Sequence, residues 1–350
     1  METIKARRVF TGKEWLQDVE IRTEGQKILS VKPAISDKWD FEKGFLMAGM
    51  IDLQVYGGGG KLFSNEPDLD TIHATYEEIY QSGTRFFQIT MNCAPMDYYE
   101  KALKAAKEYQ IIGGKGLLGV HLEGPFFNPE KKGAHLKKFI QEPSKKTIDQ
   151  LLSWADGLAL YMTIAPEMFD EKTLKYLVDT GIELSIGHSN ATEKEMEFAM
   201  KLGINKVTHL FNAQSQWESR ALGVAGTTLK RPLWASIIVD GQHCDFGSVE
   251  LAKRLKGEKL FFITDAVTEN TKGPYSFTKN GDRFTDEKGI LSGSSLTMYD
   301  AMLNAVKNAS IPLEEAIRMA TLYPAQVLGK EKEIGQIIPG ASDELIYVEL

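Results

Sequence analysis

Eight short β-type runs, at 50–55, 85–90, 117–122, 158–164, 183–186, 206–208, 234–239 and 260–264, alternate along this chain with stretches of helical character. That alternation constrains the fold more than any other feature. Parallel neighbours cannot be joined by a tight turn, so each needs a crossover, and a helix between strands supplies one. Apolar residues at three- and four-residue spacing place such helices at 69–81, 98–109, 147–154, 172–180, 193–202 and 248–255. Eight βα units between positions 48 and 334 predict an α/β protein with a (β/α)8 TIM-like barrel, its site at the C-terminal ends of the strands.

The two ends have a different texture. Short β-type segments at 4–10, 15–21 and 28–31 are separated by Thr11-Gly12, Thr23-Glu24-Gly25 and Pro33. The stretch 335–350 matches them, with Gly335-Gln336-Ile337-Ile338-Pro339-Gly340 leading into a last strand at 344–350. Residues 1–47 and 335–350 are therefore expected to form one small β-sandwich domain that the barrel at 48–334 interrupts. After the eighth run the segment 277–289 breaks the alternation, and Asn280-Gly281 predicts a type I′ hairpin turn, placing an inserted hairpin beside the mouth as a lid. Closing helices are expected at 296–308 and 313–322.

Composition narrows the function classes. A net charge of −7 argues against nucleic acid or an acidic lipid surface as partner, because such binding needs clustered Lys and Arg. An anionic ligand would then require a local cation. No apolar stretch approaches the ~20 residues that span a bilayer. Two cysteines, Cys93 and Cys244, are too few for a disulfide framework, and the N-terminus lacks a signal-peptide pattern, so the expected compartment is the cytoplasm.

Five of the six histidines fall beside the β-type runs: His121, His135, His188, His209 and His243. His73 lies in a predicted helix and reads as a surface or packing residue. Side chains alternate across a strand, so His121 and Glu123 share the inward face. Glu123 ends the third run and is placed to bind a metal, while His188 and His209 end the fifth and sixth. A carboxylate with two imidazoles leaves a position open for water or substrate, as catalytic zinc sites require. His121, one layer deeper, reads as a core group beneath the site. Asp265, after the eighth run, reaches the same mouth as a general base. A single histidine at a strand end is more often a hydrogen-bonded structural group; convergence from four strands is what points to a metal-assisted hydrolase.

The motifs His121-Leu122-Glu123-Gly124-Pro125, Lys132-Gly133-Ala134-His135, Gly187-His188-Ser189, Thr208-His209-Leu210-Phe211-Asn212-Ala213, Asp240-Gly241-Gln242-His243, Thr264-Asp265-Ala266 and Leu291-Ser292-Gly293-Ser294 follow one another in this order. As a set they resemble the N-acetylglucosamine-6-phosphate deacetylases of the amidohydrolase superfamily. The resemblance runs from Gly49-Met50-Ile51-Asp52 to Pro324-Ala325-Gln326-Val327-Leu328-Gly329. It implies hydrolysis of the acetamide of N-acetyl-D-glucosamine 6-phosphate to D-glucosamine 6-phosphate and acetate. It also implies one divalent metal per subunit, Zn2+ or alternatively Fe2+, on Glu123, His188 and His209, activating water as the nucleophile. Asp265 would act as general base and then as acid toward the departing amine. By the same resemblance His243 helps polarise the acetyl carbonyl, Ala134 and His135 face the sugar, His135 through a hydroxyl, and the main chain at Asn212 and Ala213 holds the phosphate. Leu291, Ser292 and Gly293 complete the substrate contacts. Arg220, eleven residues beyond His209, would reach the phosphate in a neighbouring subunit's site, implying a homodimer. The family's Arg-Glu-Pro-Gly reads here as Arg220-Ala221-Leu222-Gly223, a looser match.

Many amidohydrolases carry His-x-His at the end of the first strand, where this chain has Gln54 and Tyr56. Its fourth run, Leu160-Tyr161-Met162-Thr163-Ile164, has no lysine to carboxylate into a bridging ligand. Together these predict a one-metal enzyme and disfavour a cyclic-amide hydrolase such as a dihydroorotase. Two other readings stand beside the first. One is a deacetylase of N-acetylgalactosamine 6-phosphate or a related N-acyl amino sugar phosphate. The other is a non-catalytic sugar-phosphate binder, whose expected mark, loss of Asp265 or of a metal ligand, this chain does not carry.

Overall fold

The computed structural model describes residues 1–281, 283–286 and 289–349. Positions 282, 287 and 288 of the expected hairpin segment, and position 350 of the expected last strand, lie outside the described residues. Strands Met50–Val55, Thr84–Met91, Leu117–Glu123, Leu160–Ile164, Glu183–Ile186, Lys206–Val207, Trp234–Ile237 and Leu260–Phe262 hydrogen-bond to one another in that order as an eight-stranded sheet. Helices cover its outer face, so strands one and four are buried along their whole length, which is why they read as unbroken apolar runs. Helix starts are written in the sequence: Asp68, Ser144, Asp170 and Thr192 each accept a hydrogen bond from a backbone N–H in the first turn, and Thr192 with Glu195 completes a capping box.

The barrel closes between the first strand and the chain leaving the eighth. Asp265 N donates to Gln54 O at 3.0 Å, and Tyr56 N donates to Ala266 O at 2.9 Å. The seam therefore sets Gln54, Tyr56 and Asp265 side by side at the mouth. Below it, Asp52 is sealed against Thr264: Oδ1 accepts from Gln54 N at 3.1 Å and from Thr264 N at 3.3 Å, and Oδ2 accepts from the Thr264 hydroxyl. Burial pushes the Asp52 carboxyl up to about 7. A folded-state pKa above the unfolded ~3.9 means the stability this group adds is complete below ~4 and is lost as pH rises through the folded value. Asp52→Asn keeps an acceptor for both N–H groups and removes the charge. The parent Tm should then fall between about pH 4 and pH 7 more steeply than the variant's, with the two curves running parallel above about pH 8. Tm curves that are parallel below about pH 7 as well would show that Asp52 does not titrate there.

Strands Glu2–Phe10, Trp15–Glu24, Lys27–Pro33, Phe45–Ala48 and Leu345–Val348 form one five-stranded sheet. Phe45–Ala48 joins the two chain ends. Val9 pairs with Leu46 in parallel, and the C-terminal strand pairs antiparallel on its other side. This sheet has an apolar core of its own, built on Val9, Val19, Ile21, Ile28, Leu46 and Ile337.

The segment after the eighth strand forms a three-stranded antiparallel sheet, Thr278–Asn280, Arg283–Thr285 and Leu291–Ser294. Its turn is shifted by one residue from the expected Asn280-Gly281. Asn280 pairs with Arg283, so it closes the ladder and Gly281, at φ +68°, opens the turn. Val267, Tyr275, Phe277 and Phe284 pack with Tyr56 and Leu62 into a separate apolar cluster that fastens the sheet over the mouth. Among the described residues no helix is long and apolar enough to cross a membrane.

Candidate metal centre and active site

Glu123 is the last residue of the third strand, whereas His188, His209 and Asp265 follow the ends of the fifth, sixth and eighth by two or three residues. All three of the latter have left-handed backbones, φ +49°, +36° and +54°. Non-glycine residues adopt that region at a cost, so the surroundings must hold them there. His188 O accepts from Asn128 N at 3.0 Å, and His209 N donates to Ser236 Oγ at 2.8 Å. Gly187 allows the fifth strand to approach the fourth just beneath His188, since a Cβ there would lie 2.6 Å from Thr163 Cγ2.

These turns bring donor atoms to one point. Glu123 Oε1 lies 3.1 Å from His188 Nε2 and 2.9 Å from His209 Nε2, and the two nitrogens are 3.1 Å apart. All three side chains are buried. His188 Nδ1 is 2.8 Å from Lys131 O, and a carbonyl only accepts. Nδ1 therefore carries the proton and Nε2 presents a lone pair. Tetrahedral ligands at ~2.0 Å from a metal stand about 3.3 Å apart, so the triad suits a divalent cation. Electrostatics agree. Burial pushes the His188 imidazole down to about 4, favouring the neutral form that a ligand requires. Burial opposes charge at Glu123, yet the facing His135 and His188 hold its carboxyl well below the usual range. Burial likewise opposes charge on His209, but its hydrogen bond to Glu123 and that carboxylate's charge raise it. The centre thus asks for positive charge between Glu123 and His209, a proton or a metal.

By distance alone His135 joins the same cluster, with Nε2 2.8 Å from Glu123 Oε2. Its tautomer differs from that of His188. His135 Nδ1 accepts from Cys93 N at 3.1 Å, so Nε2 carries the proton and donates to the carboxylate. Both ring nitrogens of His135 are thus engaged within the protein, and the ring lines the cavity beside Glu123 and His188. Tyr56 donates its hydroxyl to the same Oε2, which leaves Oε1 to face the imidazoles. Gln54 Nε2 lies 3.0 Å from Glu123 Oε1 and 2.6 Å from Asp265 Oδ1, bridging two carboxylates that would otherwise repel. Gln54 and Tyr56 thus fill the first-strand positions with hydrogen bonds to Glu123.

Asp265 is buried, and burial together with the charge of Glu123 raises its carboxyl above the ordinary value. His121 lies beneath the centre as expected. Its Nδ1 donates to Leu53 O at 3.1 Å and its Nε2 accepts from Thr163 Oγ1 at 2.7 Å, at the head of a hydroxyl chain through Thr208 and Ser185. Burial lowers it to about 4, so it stays neutral. His243 Nδ1 is 2.7 Å from Asp240 Oδ2, which fixes the ring and turns Nε2 away from that carboxylate.

One cavity is lined by Glu123, His188, His209 and Asp265 together with Ala134, His135, Asn212, Ala213, His243, Leu291, Ser292 and Gly293. Asn212 N donates to His209 O at 2.9 Å, so that main-chain donor is already taken; Ala213, at φ +48°, stands next to it. Arg220 is the exception. It is exposed and lines a different groove, with Trp217, Lys230 and Arg231. Sequence reasoning missed Asn92, Gly133, Val267 and Phe277, which also line the cavity. Asn92 had a usable signal, a polar residue directly after a β-type run; Phe277 arrives only through the inserted sheet.

Eight parallel strands with a carboxylate–imidazole centre at their C-terminal mouth define a barrel enzyme whose centre is suited to a metal ion. The chain belongs to the amidohydrolase family, whose model it matches over residues 45–350. It is 35% identical over 350 residues to N-acetylglucosamine-6-phosphate deacetylase of Haemophilus influenzae, covering 95% of this chain and 91% of that one. It is 30% identical over 358 residues to N-acetylgalactosamine-6-phosphate deacetylase of a Shewanella species, covering 98% and 90%. The crystal structure of N-acetylglucosamine-6-phosphate deacetylase from Pasteurella multocida superposes with a TM-score of 0.91 at 31% identity, covering 98% of this chain and 94% of that one.

Proposed function

We propose that this protein hydrolyses the acetamide of N-acetyl-D-glucosamine 6-phosphate to D-glucosamine 6-phosphate and acetate. The observation that carries the reading is the meeting of Glu123, His188 and His209 in one cavity with a buried, upshifted Asp265. The Haemophilus and Pasteurella relatives support the substrate. Glu123, His188 and His209 hold one metal ion, Zn2+ by preference for this N/O donor set, with Fe2+ the alternative. When bound, it supplies Lewis-acid activation of water and of the acetyl carbonyl. Asp265, its Oδ1 fixed by Gln54, takes the proton of the attacking water on Oδ2 and returns it to the amine nitrogen as the C–N bond breaks. His243, its ring fixed through Nδ1 by Asp240, helps polarise the acetyl carbonyl. One metal per chain follows from Gln54 and Tyr56 in the first-strand positions.

We read the chain as two domains, a barrel at 48–334 and a small β domain from 1–47 and 335–350, on the strength of their separate apolar cores. We also read it as a cytoplasmic homodimer. Arg220 stands outside its own chain's cavity, as a residue lent to a neighbour would. Arg220→Ala should then raise KM for the phosphorylated sugar about tenfold, the scale of a lost charged hydrogen bond, at unchanged metal content. An unchanged KM would remove Arg220 from the site.

The test of function is acetate release from N-acetylglucosamine 6-phosphate and its galactosamine epimer, before chelation, after it, and after Zn2+ is restored. Turnover of the first sugar that vanishes on chelation and returns with the metal is expected. Faster release from the epimer would transfer the assignment to the reaction of the Shewanella relative.

A further inference from the structure

Asn92 directly follows the second barrel strand, is 5% exposed, and lines the cavity that holds Glu123, His243 and Asp265. A completely buried serine sets its orientation. Ser64 Oγ donates to Asn92 Oδ1 at 2.7 Å and accepts from Asn92 N at 2.8 Å. The hydroxyl hydrogen of Ser64 has Oδ1 as its acceptor, so flipping the amide would leave that hydrogen without one. Nδ2 is therefore held away from Ser64, and among the described residues it has no hydrogen-bond acceptor. The next residue is anchored as well, Cys93 N donating to His135 Nδ1 at 3.1 Å, so the strand end is tied to the brace of Glu123.

Burying an amide with two free donors is unfavourable unless something accepts from them. The rigid Ser64 clasp makes the exposed donors a fixed feature of the cavity. Resting on the sugar-phosphate reading above, we infer that Asn92 is a substrate-binding residue whose Nδ2 donates to a ring hydroxyl of the bound amino sugar. A neutral donor suits a hydroxyl oxygen. It adds no charge beside the Glu123 and Asp265 carboxylates, and as a group outside the proton path it acts on binding more than on turnover.

Asn92→Asp separates this role from a structural one. The carboxylate keeps an oxygen for the Ser64 hydroxyl and loses both donors. Asn92→Ala removes clasp and donors together. With the metal-loaded enzyme, both variants should raise KM at least about tenfold while kcat stays within about threefold, the scale of one lost hydrogen bond with a donor or acceptor left unpaired. Metal content should match the parent. Calorimetric binding of N-acetylglucosamine 6-phosphate to Asp265→Asn, with and without Asn92→Asp, should weaken by the same factor. Deoxy analogues at C1, C3 and C4 then identify the contact, because the analogue lacking the hydroxyl should show no KM difference between parent and Asn92→Asp. The inference is overturned if Asn92→Asp binds and turns over substrate like the parent, if every deoxy analogue retains the full difference, or if the loss tracks depleted metal. A parent that releases acetate from neither epimer would instead bring down the sugar-phosphate reading, and this inference with it.

Discussion

Asp265→Asn is expected to fold, load its metal and lose about 10³-fold in kcat, within the 10²–10⁴ that a positioned acid–base group contributes. The substitution is isosteric, and the asparagine oxygen can still accept from Gln54 Nε2, so the barrel seam survives. What disappears is the ability to take a proton and return it. The site favours such a role, since burial and the neighbouring Glu123 charge hold Asp265 above the ordinary carboxylate value and nearer to a working base. A base must be ionised to act, so kcat/KM in the parent should fall as pH drops through the Asp265 pKa, and that acidic limb should vanish in the variant. Acetate-release kinetics across pH, with metal analysis of the same samples, would decide it. Parent-like turnover by a folded, metal-loaded variant removes Asp265 from the proton path.

Glu123→Gln should produce the other large effect. It withdraws the one negative charge among three histidines and leaves the Tyr56 hydroxyl, His135 N–H and Gln54 amide facing a neutral group. Metal affinity should fall more than the 10–100-fold typical of losing an outer-shell partner, so that dialysed protein retains little metal and little activity. Tyr56→Phe, which removes one hydrogen bond to Oε2, should stay within that range and recover with added Zn2+. His135→Ala discriminates between two ligand sets that distance alone allows. If the tautomer argument holds, His135→Ala behaves like Tyr56→Phe and His209→Ala like Glu123→Gln. The opposite ranking would make His135 the ligand and His209 the bystander.

Barrel, order of strands and the residues at their ends were legible in the chain because each is a local signal. Buried parallel strands read as apolar runs, helices as three- and four-residue periodicity, and a polar residue after such a run has only the mouth to face. Phe45–Ala48 was not read as a strand of its own, since its apolar run merges with the first barrel strand and its partners are Val9 and the C-terminal segment. The shifted hairpin turn had a similar cause: Gly281 supplies the positive φ, but the pairing register, not the dipeptide, decides where the ladder ends.

By itself, then, the sequence determined which residues stand at the mouth: Glu123, His188, His209, His243 and Asp265, with Gln54 and Tyr56 in the positions where histidines would invite a second metal. Only the tertiary structure decided which protons and lone pairs each presents there. His188 and His135 differ in which ring nitrogen carries the proton, and that proton is assigned by partners far along the chain, Lys131 O for His188 and Cys93 N for His135. Barrel closure does the same for the carboxylates, setting Gln54 between Glu123 and Asp265. Position in a strand is a local property of the chain; tautomer, charge and free lone pairs depend on contacts that exist only once eight strands have closed.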